Sequence, residues 1–450
     1  MNPVRGPALH TGIDRRDFLK RAAATGSSLA LPALLAGCAT DPVTGRSSLV
    51  GLSEQEEIAV DKRAAPQQFS ADYGAVQDAQ LNQYVAGVGQ SLWTKSHRPQ
   101  MPYSVRVLNA NYINAYTFPG GTMATTRGIM LELQNEDELA GLLGHEIGHV
   151  NARHAAERAG RQQVAGAAIG VAQVGLAVIG LPGLASAAGQ AGQVGASALL
   201  ASYSRDDERE ADSLGMEYMT RAAYNADGMV GLMDVLRRES GEKPSMIETM
   251  FSSHPMSDER YAIAKREAGK KYAASRAAQL KRQSYMDNTA RLRALKPAIE
   301  AEQRGQALLA QRKVGEAEAQ FAHALKLVPN DYTGLLLMSQ VQLVQKKFTE
   351  AEVFVDRAVA VYPGEAQAQK LGGIVKLVLK KPDLAYQRFD AYDKALPGSA
   401  STLFFKGVAM EQMQNQKGAA QFYVQFLKAG GQGEPAQYAA QRLKQWGVIR

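Results

Sequence analysis

Hydrophobic and polar positions change period several times along the chain, and each change predicts an element. Ser53, with Glu56 three residues on, forms a capping box and predicts a helix start. A second helical pattern runs near residues 76–94. "YSVRVLN" (103–109) alternates apolar and polar side chains, the period of a strand. "GGTMATTRGIMLEL" (120–133) opens on two glycines and predicts a hairpin or edge strand. Asn135, with Glu138 three residues on, predicts the cap of the next helix. Strands feeding a long helix predict a small sheet packed on helices, an α+β arrangement that is mostly helical. Residues 162–204 contain no charged residue, a length that could cross a membrane. Eight glycines, five glutamines and Pro182 weaken its apolar drive. Two small-residue helices that pack closely are therefore expected, the other reading being a mobile or membrane-touching flap.

Beyond residue 298 the pattern repeats every 34 residues. Ala317, Ala351, Ala385 and Ala419 share the spacing, as do Pro329, Pro363 and Pro397. Gly305, Ser339, Gly373 and Gly407 hold a small-residue slot, and Phe321, Val355, Phe389 and Tyr423 a large one. This period resembles the tetratricopeptide repeat, in which small residues let two helices approach and a proline ends the second. Gly431 stands where a fourth proline is expected, and "PAQYAAQRLKQW" predicts a capping helix. An all-α solenoid follows, with a concave face that suits a protein partner, or else a plain scaffold.

Length and composition set the frame. At 450 residues, two or three domains are expected, and 45% hydrophobic residues permit a large core. Net charge is +7, but the first 37 residues account for +3 of it. The remaining excess is too mild to argue for nucleic acid. Those 37 residues contain Arg15-Arg16 followed by a weakly apolar run, which resembles a twin-arginine export signal. Leu35-Ala36-Gly37-Cys38 resembles a lipobox, which directs lipid modification of the cysteine. Cys38 is the only cysteine in the chain, so it forms no internal disulfide, and a lipid anchor explains its presence. Ala39 does not resemble an inner-membrane retention signal, so the inner leaflet of the outer membrane, facing the periplasm, is the expected location. The organisation expected is an export signal over 1–37, a polar tether over 38–53, a catalytic domain over 54–283 and a repeat domain over 284–450.

"GLLGHEIGHVNARHAAER" (141–158) carries three of the seven histidines. Each helical residue advances about 100°, so His145 and His149 share a face while His154 points away. His154 is read as a solvent or packing histidine. Two imidazoles one turn apart can hold zinc, and Glu146 beside them can take a proton from a water on the metal. A catalytic zinc wants a third protein ligand. Ala155 stands where one class of zinc peptidases places a third histidine, so a downstream carboxylate is needed. "SRDDEREADSLGMEY" (204–218) supplies one. Glu208 and Asp212 lie one turn apart, and Ala211 and Gly215 leave that face small enough for close helix contact. Glu208 can then bind zinc while Asp212 accepts a hydrogen bond from a ligating imidazole.

"HEIGH" followed by "EREAD" resembles the zinc metallopeptidases of the CAAX-prenyl-protease and HtpX type. "NAYTFPGGTMATTRGIM", "DPVTGR" and "SHPMSDER" are similar to the same family over roughly residues 40–280. With an export signal and C-terminal repeats, the chain resembles its periplasmic BepA-like branch. The resemblance implies a gluzincin-like domain with one zinc ion per chain, ligands His145, His149 and Glu208, and Glu146 as catalytic base. It further implies a lipid-anchored periplasmic endopeptidase in quality control and assembly of outer-membrane proteins. Its substrates would be unfolded or misassembled envelope proteins, and its repeats would meet the outer-membrane assembly machinery. The 120–127 strand would bind extended substrate by edge addition. The rival expectation is an assembly chaperone or scaffold acting mainly through the repeats. His254 precedes Pro255, which biases it to an extended loop, and Ser257 predicts a helix start just beyond. A loop histidine there is expected either to help hold the transition-state oxyanion or to fill zinc's open position and keep the enzyme latent.

Overall fold

The computed structural model describes residues 37–45, 47–165, 203–242 and 244–450. The stretch expected to be an export signal, apart from Gly37, and most of the uncharged run lie outside them. Within the stretch expected to form a polar tether the chain makes a hairpin, β1 (Gly37–Thr40) and β2 (Ser47–Val50), with Cys38 opposite Leu49. The turn has a local cause. The Asp41 carboxylate accepts from the Val43 and Thr44 amides, and Gly45 takes a positive φ of 70°. Gly51 then donates to the Ala156 carbonyl at 2.8 Å.

The capping box at Ser53 and Glu56 starts α1 (Glu54–Ala71). Helix α2 (Ala79–Trp93) buries Leu81, Val85, Val88 and Leu92 along one stripe against a three-stranded sheet. The sheet contains β3 (Ser104–Leu108), β4 (Ala115–Thr117) and β5 (Thr122–Thr126) in the order β3–β5–β4. β5 is parallel to β3 and antiparallel to β4. Of the hairpin or edge strand expected here, β5 forms a hairpin with β4 but is central rather than an edge, and its backbone is paired on both sides. It also ends early, because the Thr126 hydroxyl accepts from the Ile129 amide and caps α3 (Arg127–Glu132).

Asn135 caps α4 (Glu136–Asn151), every residue of which is buried. Helix α5 (His154–Ala165) follows after a tight turn. Helices α6 (Arg205–Arg221) and α7 (Asp227–Glu242) pack across α4. The contact with α6 is backbone to backbone. A methyl group on Gly148 would sit 2.8 Å from the Ala211 carbonyl oxygen, and one on Gly144 2.9 Å from that of Gly215. α8 (Pro244–Ser253) and α9 (Asp258–Gly269) close this side of the domain. No helix among the described residues is long and apolar enough to cross a membrane.

The same core takes in Tyr285 from α10 (Arg282–Asn288), Leu292 from α11 (Ala290–Ala294) and Ile299 from α12 (Lys296–Ala310). From there helices pair as the 34-residue period predicts: α12 with α13 (Val314–Leu327), α14 (Tyr332–Val344) with α15 (Phe348–Val361), α16 (Ala366–Val378) with α17 (Pro382–Ala395), and α18 (Ala400–Gln412) with α19 (Gln416–Lys428). The capping helix is α20 (Gly433–Gln445). Gly305, Gly373 and Gly407 leave the space that Phe321, Phe389 and Tyr423 fill.

The repeats are welded to the first domain by buried polar groups. Arg127 donates to Asn111 at 2.7 Å and to Asp331 at 2.7 Å, and also pairs with Glu302. Thr333 donates to the Asn109 carbonyl at 3.0 Å, and Ser70 to Glu365 at 2.5 Å. Burial and the neighbouring Asp331 push the Glu302 carboxyl up, so it tends to keep its proton. Burial also opposes the charge of Asp331, but the Arg127 guanidinium outweighs it and holds that carboxyl below the usual range. Arg127→Met leaves an unpaired buried anion. Chemical denaturation of the full chain should show a loss of about 3–5 kcal/mol, and a loss under about 1 kcal/mol would show that the junction is not a stabilising element.

Candidate metal centre

Helix α4 turns His145 and His149 toward α6, and their Nε2 atoms lie 3.0 Å apart. Close helix packing brings Glu208 to them from the first turn of α6. Its carboxylate oxygens lie 3.3 Å from His149 Nε2 and 3.6 Å from His145 Nε2. His254, the first residue after α8, completes the group. Its Nδ1 lies 3.0 Å from Glu208 Oε1 and 3.3 Å from His145 Nε2. One donor atom from each of the four residues falls within 4.8 Å of all the others, and all four side chains are buried.

The surroundings decide what the donors can accept. Asp212, one turn along from Glu208, receives His145 Nδ1–H at 2.9 Å. Arg260 grips both Asp212 oxygens at 2.7 Å and reaches Glu208 Oε2 at 2.6 Å. Burial disfavours the Asp212 charge, but Arg260 outweighs it and holds the carboxyl below its ordinary pKa. An ionised Asp212 accepts only, so the His145 proton sits on Nδ1 and its Nε2 presents a lone pair. Burial pushes the His149 imidazole well below its ordinary pKa, which also favours a neutral ring. Two imidazole lone pairs and a carboxylate converging in a dry site suit a divalent cation, and two nitrogens with one oxygen suit zinc.

Glu146 stands beside this group. Both its oxygens are buried without a hydrogen-bond partner among the described residues, and His254 Nε2 is 3.8 Å from Oε1. Burial raises its pKa above the usual carboxylate value.

The structure brings His145, Glu146, His149, Glu208, Asp212 and His254 together. Cys38 stands apart in β1. His154 departs from expectation. The turn at Arg153 (φ 57°) breaks the helix, so helical arithmetic does not carry through it, and His154 is buried 2.8 Å from His149 Nδ1. Two residues escaped the sequence reading. Arg260 lies in the quoted "SHPMSDER" stretch, where "ER" after "HP" was a pattern without an assigned role. Tyr203, just before the α6 cap, stacks on His149 with ring centroids 3.9 Å apart.

This helical domain, with its small sheet and convergent histidines, followed by paired-helix repeats, has the organisation of a metallopeptidase domain joined to a tetratricopeptide-repeat domain. Residues 79–268 match peptidase family M48, and residues 308–373 match a tetratricopeptide repeat. The chain therefore carries a peptidase family M48 domain followed by tetratricopeptide repeats. It is 29% identical over 237 residues to the beta-barrel assembly-enhancing protease of Yersinia pestis, covering 50% of this chain and 47% of that one. To the Escherichia coli (strain K12) protein of the same name it is 27% identical over 247 residues, covering 53% and 49%. To Metalloprotease YcaL of Escherichia coli (strain K12) it is 28% identical over 211 residues, covering 46% and 78%. The chain spans about half the length of the beta-barrel assembly-enhancing proteases it matches.

His145→Ala and Glu208→Ala each remove a converging donor. Elemental analysis of the purified chain should find about one zinc per chain in the parent and almost none in either variant. Arg260→Leu should bind zinc about 10–100-fold more weakly, because Asp212 then loses its restraint. Unchanged zinc content in Glu208→Ala would overturn that ligand assignment.

Proposed function

We propose that this protein is a zinc metalloendopeptidase whose metal is held by His145, His149 and Glu208. The observation that carries the reading is the buried carboxylate of Glu146 beside that donor set, whose oxygens have no hydrogen-bond partner among the described residues. Zinc bound there would supply Lewis acidity toward a scissile carbonyl and lower the pKa of water. Glu146 takes the proton from the attacking water and delivers it to the leaving amine. Its raised pKa suits that exchange, since a base works best when its pKa approaches the working pH. Asp212 and Arg260 hold His145 in its ligating orientation.

The relatives' name supports a role in quality control and assembly of outer-membrane proteins, with misassembled envelope proteins as substrates. The lipobox-like sequence supports a lipid anchor at Cys38 and a periplasmic site of action, with the repeats as the contact to the assembly machinery. An assembly chaperone working without hydrolysis is the competing reading. Glu146→Gln separates the two, because the amide cannot act as base while zinc binding is kept. Mass spectrometry of an unfolded outer-membrane protein incubated with the parent should find zinc-dependent peptides, and the variant should release at least about 100-fold fewer. Equal release by both would refute the hydrolytic role of Glu146.

His254 adds a fourth donor to the group, and on this reading it would fill the position that a catalytic zinc keeps open for water. We read it as a latch that keeps the enzyme latent. His254→Ala should therefore raise the rate of peptide release at unchanged zinc content. A fall by about 100-fold or more would instead assign His254 to oxyanion stabilisation.

A further inference from the structure

The two ligating imidazoles are held from behind by different means. His145 Nδ1 donates to a carboxylate, whereas His149 Nδ1 meets another imidazole, His154 Nδ1, at 2.8 Å. Between two ring nitrogens at that distance one must donate and the other accept. His149 Nε2 faces His145 Nε2 at 3.0 Å and Glu208 Oε1 at 3.3 Å, so it is the atom offered to the metal. The His149 proton therefore sits on Nδ1, and His154 Nδ1 accepts it. His154 is then left with its own proton on Nε2, where Glu210 Oε2 lies 3.4 Å away. We propose that His154, oriented by Glu210, is a positioning residue that holds His149 in the tautomer and ring rotation needed to bind metal.

The backbone is built for this placement. α4 stops at Asn151, and Arg153 takes a left-handed φ of 57°, which folds His154 back over the last turn of α4. Arg153 secures that turn by donating to Glu57 at 3.1 Å and to the Leu52 carbonyl at 2.7 Å. Tyr203 covers the flat face of His149 at an interplanar angle of 20°. The His149 ring is thus held on its face by Tyr203 and at its outer edge by His154. His154 is 1% exposed, so bulk water does not reach in to replace it as acceptor. Without it the His149 N–H is stranded in a dry site, and the competing tautomer, with the proton on Nε2, gains ground.

The inference rests on the reading of this cluster as a zinc site. Its test uses zinc affinity of the full chain, measured by competition with a chromophoric chelator, and thermal unfolding of the metal-free chain. His154→Phe keeps a ring but has no acceptor, whereas His154→Gln offers an amide oxygen. His154→Phe should bind zinc about 10–100-fold more weakly at an unchanged metal-free melting temperature, and His154→Gln should recover most of the loss. The visible spectrum of the cobalt-substituted protein should shift in the Phe variant and return in the Gln variant. Parent-like zinc affinity in His154→Phe, or equal weakening in both variants, overturns the proposal. Should the Phe variant fail to fold, the near-isosteric pair His154→Asn and His154→Leu makes the same comparison, and equal affinities in that pair overturn it. A parent chain that binds no zinc at all overturns instead the reading of the cluster as a metal site.

Discussion

Everything at the metal centre depends on how closely two helix backbones approach. α4 carries two histidines and α6 carries a carboxylate, and neither helix alone holds a complete site. Gly144 and Gly148 on one side, with Ala211 and Gly215 on the other, let the backbones touch. A larger side chain at any of these positions would separate the helices. Glu208 would then no longer reach His149. Small residues in a helix cost intrinsic helix stability, about 1 kcal/mol for each glycine relative to alanine. Here that cost is offset by burial along the whole of α4.

A second constraint joins the two domains. The buried contact is polar, built on Arg127, Asn111, Glu302 and Asp331, and polar contacts of this kind are directional. An apolar seam tolerates sliding, but a guanidinium held by three partners does not. The first repeats are therefore part of the first domain's own architecture rather than an appendage on a swivel. Tyr73, packed against the core of the repeats, and Gly74, whose Cα leaves no room before Glu365, extend the same junction.

Much of this was legible in the sequence where one regular element held the information. His145 with His149, and Glu208 with Asp212, follow from the turn of an unbroken helix. The repeats were legible because a 34-residue period occurs often enough to agree with itself at several positions. Reasoning failed where the chain changes direction. His154 was placed by extending a helix that ends at Asn151. The stretch around β5 reads as a hairpin or an edge strand; its antiparallel pairing with β4 fits the hairpin, but the parallel pairing with β3 on its other side has no local signal. Arg260 and Arg127 look like ordinary surface charges until the tertiary fold gives them partners 48 and 204 residues away. No local pattern encodes those distances.

The N-terminal hairpin alters the leash by which the domain would be held. A flexible polar stretch running from residue 38 to 53 would let its two ends wander apart by about 20 Å. In the folded chain Cys38 is paired with Leu49, and Gly51, two residues on, is hydrogen-bonded to the helix that begins with His154. The slack is gone. An attachment at Cys38 itself would act on a short hairpin tied to that helix, so the face carrying the histidine cluster would be held nearer to one orientation toward its support than a flexible stretch would hold it. Such a mounting would trade search volume for aim.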